Sequence, residues 1–278
     1  MSENELLFSL FFVSCRSKNK VEQPMIKDFD LLQRANNDYT TIDLEHAEEL
    51  AYRELIDSIR YIPLGDECGV MGNIANIITY KGRFYIQEEQ FDRVFIYDDT
   101  GRCLKKIDNK GRGPGEYLRI ESIDINTEKE ELMLVDGMSD KLFFYDLDGN
   151  FKSIHSIRYF QTENTLCLRD SVFLHISAPS QNFGNEGLYG YALVLSKGNE
   201  NFLKGYRYLP LQVGYKGGGQ IFKGYERSCY HPIYSDTIYQ ILSDITYGPI
   251  FYFKIKNSSW EKYHNSDRFV DIDGSEEG

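Results

Sequence analysis

The nine residues Arg93-Val94-Phe95-Ile96-Tyr97-Asp98-Asp99-Thr100-Gly101 return 48 positions later as Lys141-Leu142-Phe143-Phe144-Tyr145-Asp146-Leu147-Asp148-Gly149. A cation, a Phe, a Tyr, an Asp and a Gly coincide. The same offset holds upstream, where Ile77 maps to Ile125, Phe84 to Leu132, Ile86 to Leu134 and Glu88 to Asp136. One register over such a span marks an internal repeat. Each unit reads as four short strands. In the second unit they are Ser122 to Ile125, Glu131 to Val135, Lys141 to Tyr145 and Phe151 to Ile157. The glycine closing each Tyr-Asp-x-x-Gly turn sits where a positive φ is needed. Four strands per unit is the pattern of a β-propeller blade, a small twisted sheet that cannot bury both faces alone.

Working outward, the repeat weakens. Tyr191 to Leu195 falls 48 after Phe143, Ser235 to Ile241 looks like an outer strand pair, and Phe251 to Ile255 alternates as a strand. Asp43 to Ile59 carries apolar residues at helical spacing. The preferred reading is a short helix followed by a first strand at Ser58 to Ile62. From Ser58 to Gly278 the chain holds between four and five repeats. The expectation is an all-β propeller of six-bladed type with about five blades present. Either the chain is truncated, or the ring is incomplete, with an exposed edge. The domain reading is a signal segment over 1–15, a tether over 16–42 and the propeller over 43–278.

Composition agrees. Aromatics reach 14%, from 21 Tyr, 18 Phe and 1 Trp, which favours strands over disorder. Lys+Arg is 31 and Asp+Glu 43, a net charge of −12, so no nucleic-acid partner is expected. No apolar run approaches the roughly 18 residues of a membrane-spanning helix. The cysteines Cys15, Cys68, Cys103, Cys167 and Cys229 form no CxxC pair, so no zinc ribbon is expected. Buried free thiols are the preferred reading of the last four.

Leu6 to Val13 is a short apolar run closing on Ser14 and Cys15. It resembles a bacterial lipoprotein signal, with Cys15 as the lipid-attachment residue, although Met1 to Glu5 lacks the usual positive start. Together with Tyr61-Ile62-Pro63-Leu64, the loop Gly111-Arg112-Gly113-Pro114-Gly115-Glu116-Tyr117, the segment Ser235-Asp236-Thr237-Ile238-Tyr239 and the Tyr-Asp-x-x-Gly turns, the chain resembles NHL-type repeats and the six-bladed β-propeller lipoproteins of Bacteroides-like bacteria. That resemblance implies a propeller and a cell-envelope location. The basic residues Arg16, Lys18 and Lys20 after Cys15 turn the expectation toward an outer-membrane lipoprotein facing the periplasm. It implies no reaction.

No sequence motif names a catalyst. There is no GxSxG elbow and no HExxH or HxH, and the Asp146-Leu147-Asp148-Gly149-Asn150 stretch has the wrong glycine spacing for a calcium loop. His175 reads as a core histidine. Glu88 and Asp136 read as repeat-equivalent turn residues, with acid–base work at the axis as the alternative. Gly111, Gly113, Pro114 and Gly115 shape an inter-blade loop on which Arg112, Glu116 and Tyr117 are the candidate ligand-binding residues. The glycine-rich stretch around Gly214 to Gly219 reads as a long inter-blade loop. No cofactor and no metal are expected. The functional expectation is a membrane-anchored module that binds a protein, glycan or peptide. The alternative is a hydrolase or lyase acting on glycans or peptides at the axis.

Overall fold

The computed structural model describes residues 30–31, 33–34, 38–46, 56–157, 162–169, 172–177, 191–197, 201–208, 219–223, 228–232, 235–241 and 246–255. Three short strands come first: β1 (Asp30–Leu31), β2 (Gln33–Arg34) and β3 (Thr40–Asp43), with a 3-10 turn at Leu44–His46. The first blade is β4 (Ile74–Tyr80), β5 (Arg83–Glu88), β6 (Arg93–Asp98) and β7 (Cys103–Ile107). The second is β8 (Ser122–Asn126), β9 (Glu131–Asp136), β10 (Lys141–Asp146) and β11 (Phe151–Ser156). The third is β12 (Asn164–Arg169), β13 (Val172–Ile176), β14 (Tyr191–Lys197) and β15 (Asn201–Tyr208), and the fourth is β16 (Gln220–Lys223), β17 (Ser228–His231), β18 (Thr237–Ile241) and β19 (Thr246–Lys254). Within each blade the strands follow sequence order and pair antiparallel.

Strand β10 shows why the repeat makes blades. Successive side chains of a strand point to opposite faces of its sheet. Phe143 and Tyr145 pack with Tyr85, Val94 and Ile96 of the first blade. Leu142 and Phe144 pack with Cys167 and Phe173 of the third. Both faces are buried, so the strand is apolar at consecutive positions and the sheet is sandwiched between two neighbours. The third and fourth blades meet in the same way, Leu174, Leu193 and Leu195 packing with Tyr230, Tyr239 and Tyr247.

The turn signature is observed as predicted. Gly101 and Gly149 have φ of 88° and 79°. Asp98 Oδ1 accepts from the amides of Thr100 and Arg102 at 3.0 Å each. Asp146 Oδ1 accepts from those of Asp148 and Asn150 at 3.0 and 2.8 Å. The Asp146–Asn150 stretch is therefore a hairpin turn. Irregularities in pairing at Ile96/Tyr97 and Phe144/Tyr145 also keep the offset.

Three expectations are corrected. The described residues form four blades, not five. Ser58 to Ile62 is not a strand: residues 56–73 form an irregular strap and blade one starts at Ile74. The strap is covalently held, because Cys68 and Cys103 are joined in a disulfide rather than being free thiols. Cys103 opens β7 and Cys68 packs against blade one beside it, which brings their Cα atoms to 6.0 Å. Cys167 and Cys229 are not in disulfides. In addition, β1 pairs parallel with β15, and β2 and β3 pair parallel with β19, so strands lie within the 16–42 stretch read as a tether. Ser235 to Ile241 contributes one strand, β18, with β19 as its outer neighbour.

Candidate functional site

The inner strands β8, β12 and β16 bring together polar groups that sequence reading did not connect. Asp124, on β8, is buried. Lys223 arrives from β16, two blades away. Its Nζ donates to Asp124 Oδ1 and Oδ2 at 2.9 Å each, to the Ile125 carbonyl at 2.6 Å and toward the Cys167 carbonyl at 3.5 Å. The Cys167 amide also donates to Asp124 Oδ2 at 2.8 Å. Burial holds the Asp124 carboxyl above its ordinary range, against the pull of Lys223. Burial next to Asp124 pushes the Cys167 thiol up to about 12, so it is a poor nucleophile. The alternation Ser122-Ile123-Asp124-Ile125 was the available signal for an inward carboxylate. Nothing local pointed to Lys223.

The repeat-equivalent carboxylates serve the scaffold. Glu88 is buried, and its Oε2 takes Arg93 Nε at 2.9 Å and the Phe91 amide at 3.3 Å. Asp136 is buried and accepts from the Leu118, Met138 and Ser139 amides and the Ser139 hydroxyl. A third pair escaped notice in the sequence although it obeys the offset. Asp92 and Asp140 both adopt positive φ, 56° and 53°. Asp92 Oδ2 takes Lys110 Nζ at 2.5 Å while Oδ1 takes the Ile120 amide. It thereby fastens the glycine loop to blade one.

That loop, between β7 and β8, connects two blades. Lys110 and Tyr117 form an isolated bridge, and Tyr117 is fully buried, its hydroxyl donating to the Asp92 carbonyl at 2.8 Å. Glu116 turns back to accept from the Gly113 amide at 2.7 Å. Gly115 has φ of 83°. Arg112 and Glu116 lie on the loop's outside and Tyr117 anchors it from below, so the three candidates do not form one cluster. His175 is buried, with Nδ1 2.9 Å from Thr165 Oγ1 and Nε2 2.7 Å from Ser196 Oγ. Burial lowers its pKa to about 3, so it is a neutral core group. Cys15 and Gly214 to Gly218 lie outside the described residues.

The remaining feature is an exposed edge. On β8, Ile125 is 2% exposed. Its repeat equivalent on β4, Ile77, is 51% exposed. Blade one packs over Ile125, but no sheet covers Ile77 among the described residues. The rest of that face is closed by the strap. Cys68 and Met71 pack on Ile86, Phe95 and Tyr97. The Tyr97 hydroxyl donates to the Gly65 carbonyl, Arg60 Nη2 donates to the Asp99 carbonyl, and Gly65 and Gly101 share a backbone bond. Several apolar residues of the strap are exposed, Tyr61 at 87%, Val70 at 82% and Ile59 at 66%, as is Ile74 at the start of β4, at 49%.

Radially stacked four-stranded sheets around converging inner strands define a β-propeller. Residues 39–276 match the family described as Domain of unknown function (DUF4934), and the chain belongs to that family. Among solved structures it is similar to a Bacteroides fragilis protein provisionally described as exported, at 20% identity and a TM-score of 0.66, over 77% of this chain and 60% of that one. The chain thus spans about three-fifths of that protein's length. A member of the duf4221 family from Bacteroides vulgatus matches at 10% identity and a TM-score of 0.40, over 64% and 56% of the two chains. A catalytically inactive virginiamycin B lyase from Staphylococcus aureus, solved with quinupristin, matches at 9% identity and a TM-score of 0.40, over 64% and 55%. The last two bear on neither fold nor chemistry. No curated protein matches the chain.

Proposed function

We propose that the chain is an envelope-anchored propeller that binds a protein, glycan or peptide ligand. The observation that carries this reading is the exposed apolar edge, where Ile77 lies open at a position that the next blade buries as Ile125. Exposed apolar patches of this kind mark interaction sites. Arg112 and Glu116 on the glycine loop are the proposed polar ligand contacts, with Tyr117 positioning them. The Cys68–Cys103 disulfide supports an oxidising compartment, because such bonds are rare in the cytosol. The Cys15 lipobox supports an outer-membrane lipoprotein facing the periplasm. The alternative of a glycan or peptide hydrolase or lyase gains no support from the axis, where Asp124 and Lys223 are spent on one another.

A photo-crosslinking residue placed at Tyr61, at Ile77 or at the exposed Arg102 in the native host tests the edge. Discrete adducts at 61 and 77, absent at 102, are expected. Equal labelling at all three positions would overturn the reading.

A further inference from the structure

We propose that the axis of this propeller carries a cation site of calcium type, and that the ammonium of Lys223 is its resident cation. The argument starts from what surrounds Nζ. Four oxygens from two blades converge on it: both carboxylate oxygens of Asp124, the Ile125 carbonyl and the Cys167 carbonyl. A bidentate carboxylate with backbone carbonyls is the ligand chemistry of a hard, large cation. Asp124 is held in place independently of the lysine, because its Oδ2 accepts the Cys167 amide and its backbone is paired in β8. The cage therefore persists when the lysine is removed.

The size of the cage selects the cation. Nζ sits 2.6 to 2.9 Å from three of the oxygens. Calcium takes oxygens at about 2.3–2.6 Å with adjustable geometry, so a contraction of a few tenths of an ångström seats it. Magnesium needs about 2.0–2.1 Å and near-ideal octahedral geometry, which carbonyls on two separate blades cannot close in to supply. With one carboxylate, the expected affinity is that of weak extracellular sites, about 10⁻⁴–10⁻³ M, the remaining ligands being water. In the native chain the lysine is tethered to the site and is joined to β16, so it also ties the fourth blade to the second. The propeller then holds its axis without a metal, whatever the surrounding calcium level.

The test uses the full chain and the variants Lys223→Ala and Lys223→Met, with Asp124→Asn/Lys223→Met as the control. Thermal unfolding and calorimetric titration are followed in CaCl₂ or MgCl₂ at matched ionic strength. Either single variant should melt lower than wild type in chelator. Each should recover at least half of the lost Tm in about 10 mM calcium, and bind one calcium near the affinity given above. Magnesium should give neither effect. The double variant, lacking the carboxylate, should not respond, and wild type should bind at least tenfold more weakly. A single variant that folds yet ignores calcium would overturn the proposal. So would equal recovery in magnesium, an undiminished response in the double variant, or failure of both single variants to fold in calcium.

Discussion

Breaking the Cys68–Cys103 disulfide is the perturbation whose size the structure sets most cleanly. The bond closes a loop with a sequence separation of 35. In the chain-entropy account, removing a cross-link over such a loop costs about 4 kcal/mol at 25 °C. The native-state contribution has the same sign. The strap between residues 56 and 73 lays Cys68 and Met71 on Ile86, Phe95 and Tyr97, and without the bond it is held there by that small apolar contact and by hydrogen bonds such as Tyr97 to Gly65. Cys68→Ser should therefore lower stability by about 4–5 kcal/mol, with a lower denaturant midpoint in urea and a steeper slope, because the unfolded chain is no longer cross-linked. Limited trypsin digestion should cut at Arg60 in the variant, or in reduced wild type, well before it cuts the oxidised chain. Arg60→Ala removes one exposed hydrogen bond and is the control, expected to cost no more than about 0.5–1 kcal/mol. A Cys68→Ser variant within about 1 kcal/mol of wild type, with Arg60 still resistant, would refute the account of the strap.

Further outcomes are expected elsewhere. Gly101→Ala and Gly149→Ala both place a side chain at positive φ. The first should cost more, because a Cβ at Gly101 meets the Pro63 carbonyl whereas at Gly149 it meets side-chain atoms of Ile96 and Lys105 at 2.9 Å. About 1–3 kcal/mol is expected in each case, read by urea unfolding. Phe143→Ala opens a cavity between the first and second blades and should cost about 3–5 kcal/mol by the same assay. His175 is held neutral in the fold with a pKa near 3, below its unfolded value, so the unfolded chain binds the extra proton on acidification. Its contribution to stability is complete above about pH 6.5 and is lost as pH falls toward 3, at up to about 1.4 kcal/mol per pH unit. His175→Gln should flatten that acid limb of the stability profile, and an unchanged limb would remove His175 as its source. Cys15→Ala should move the protein from the membrane to the soluble fraction. Unchanged fractionation would rule out lipidation there.

What the sequence made legible was local or periodic. The Asp-x-x-Gly turns are written within a few residues, and the 48-residue offset placed all four strands of the second blade to within a residue or so. The miscount of blades has a physical cause. Residues 56–73 read as the opening of a blade, but Pro63, Gly65 and Gly69 lie in a strap that caps a sheet face instead of extending it. The repeat also loses its strict length, β12 following β8 by 42 positions and β16 following β12 by 56, which leaves the count unchanged but blurs where the later blades begin. Cys68 and Cys103 carried no pairing signal because blade-one packing, not spacing, brings them together. The axial contact was the least legible. Asp124 and Lys223 are 99 residues apart on strands that do not pair, and only the curvature of the whole stack makes them neighbours.

That same contact offers the most direct test of the architecture. In a row of sheets or a two-layer sandwich, the second and fourth units of the repeat have no reason to touch. Around an axis, their inner strands converge. A double-mutant cycle with Asp124→Ala, Lys223→Ala and the double variant, followed by equilibrium unfolding in metal-free buffer, measures that convergence as a coupling energy. The radial arrangement predicts that Lys223→Ala, which strands the buried Asp124 carboxylate, costs several kcal/mol, that Asp124→Ala, which leaves a lysine able to reach solvent, costs less, and that the two are coupled by at least about 2 kcal/mol. Strictly additive losses, with coupling within about 0.5 kcal/mol of zero, would contradict it.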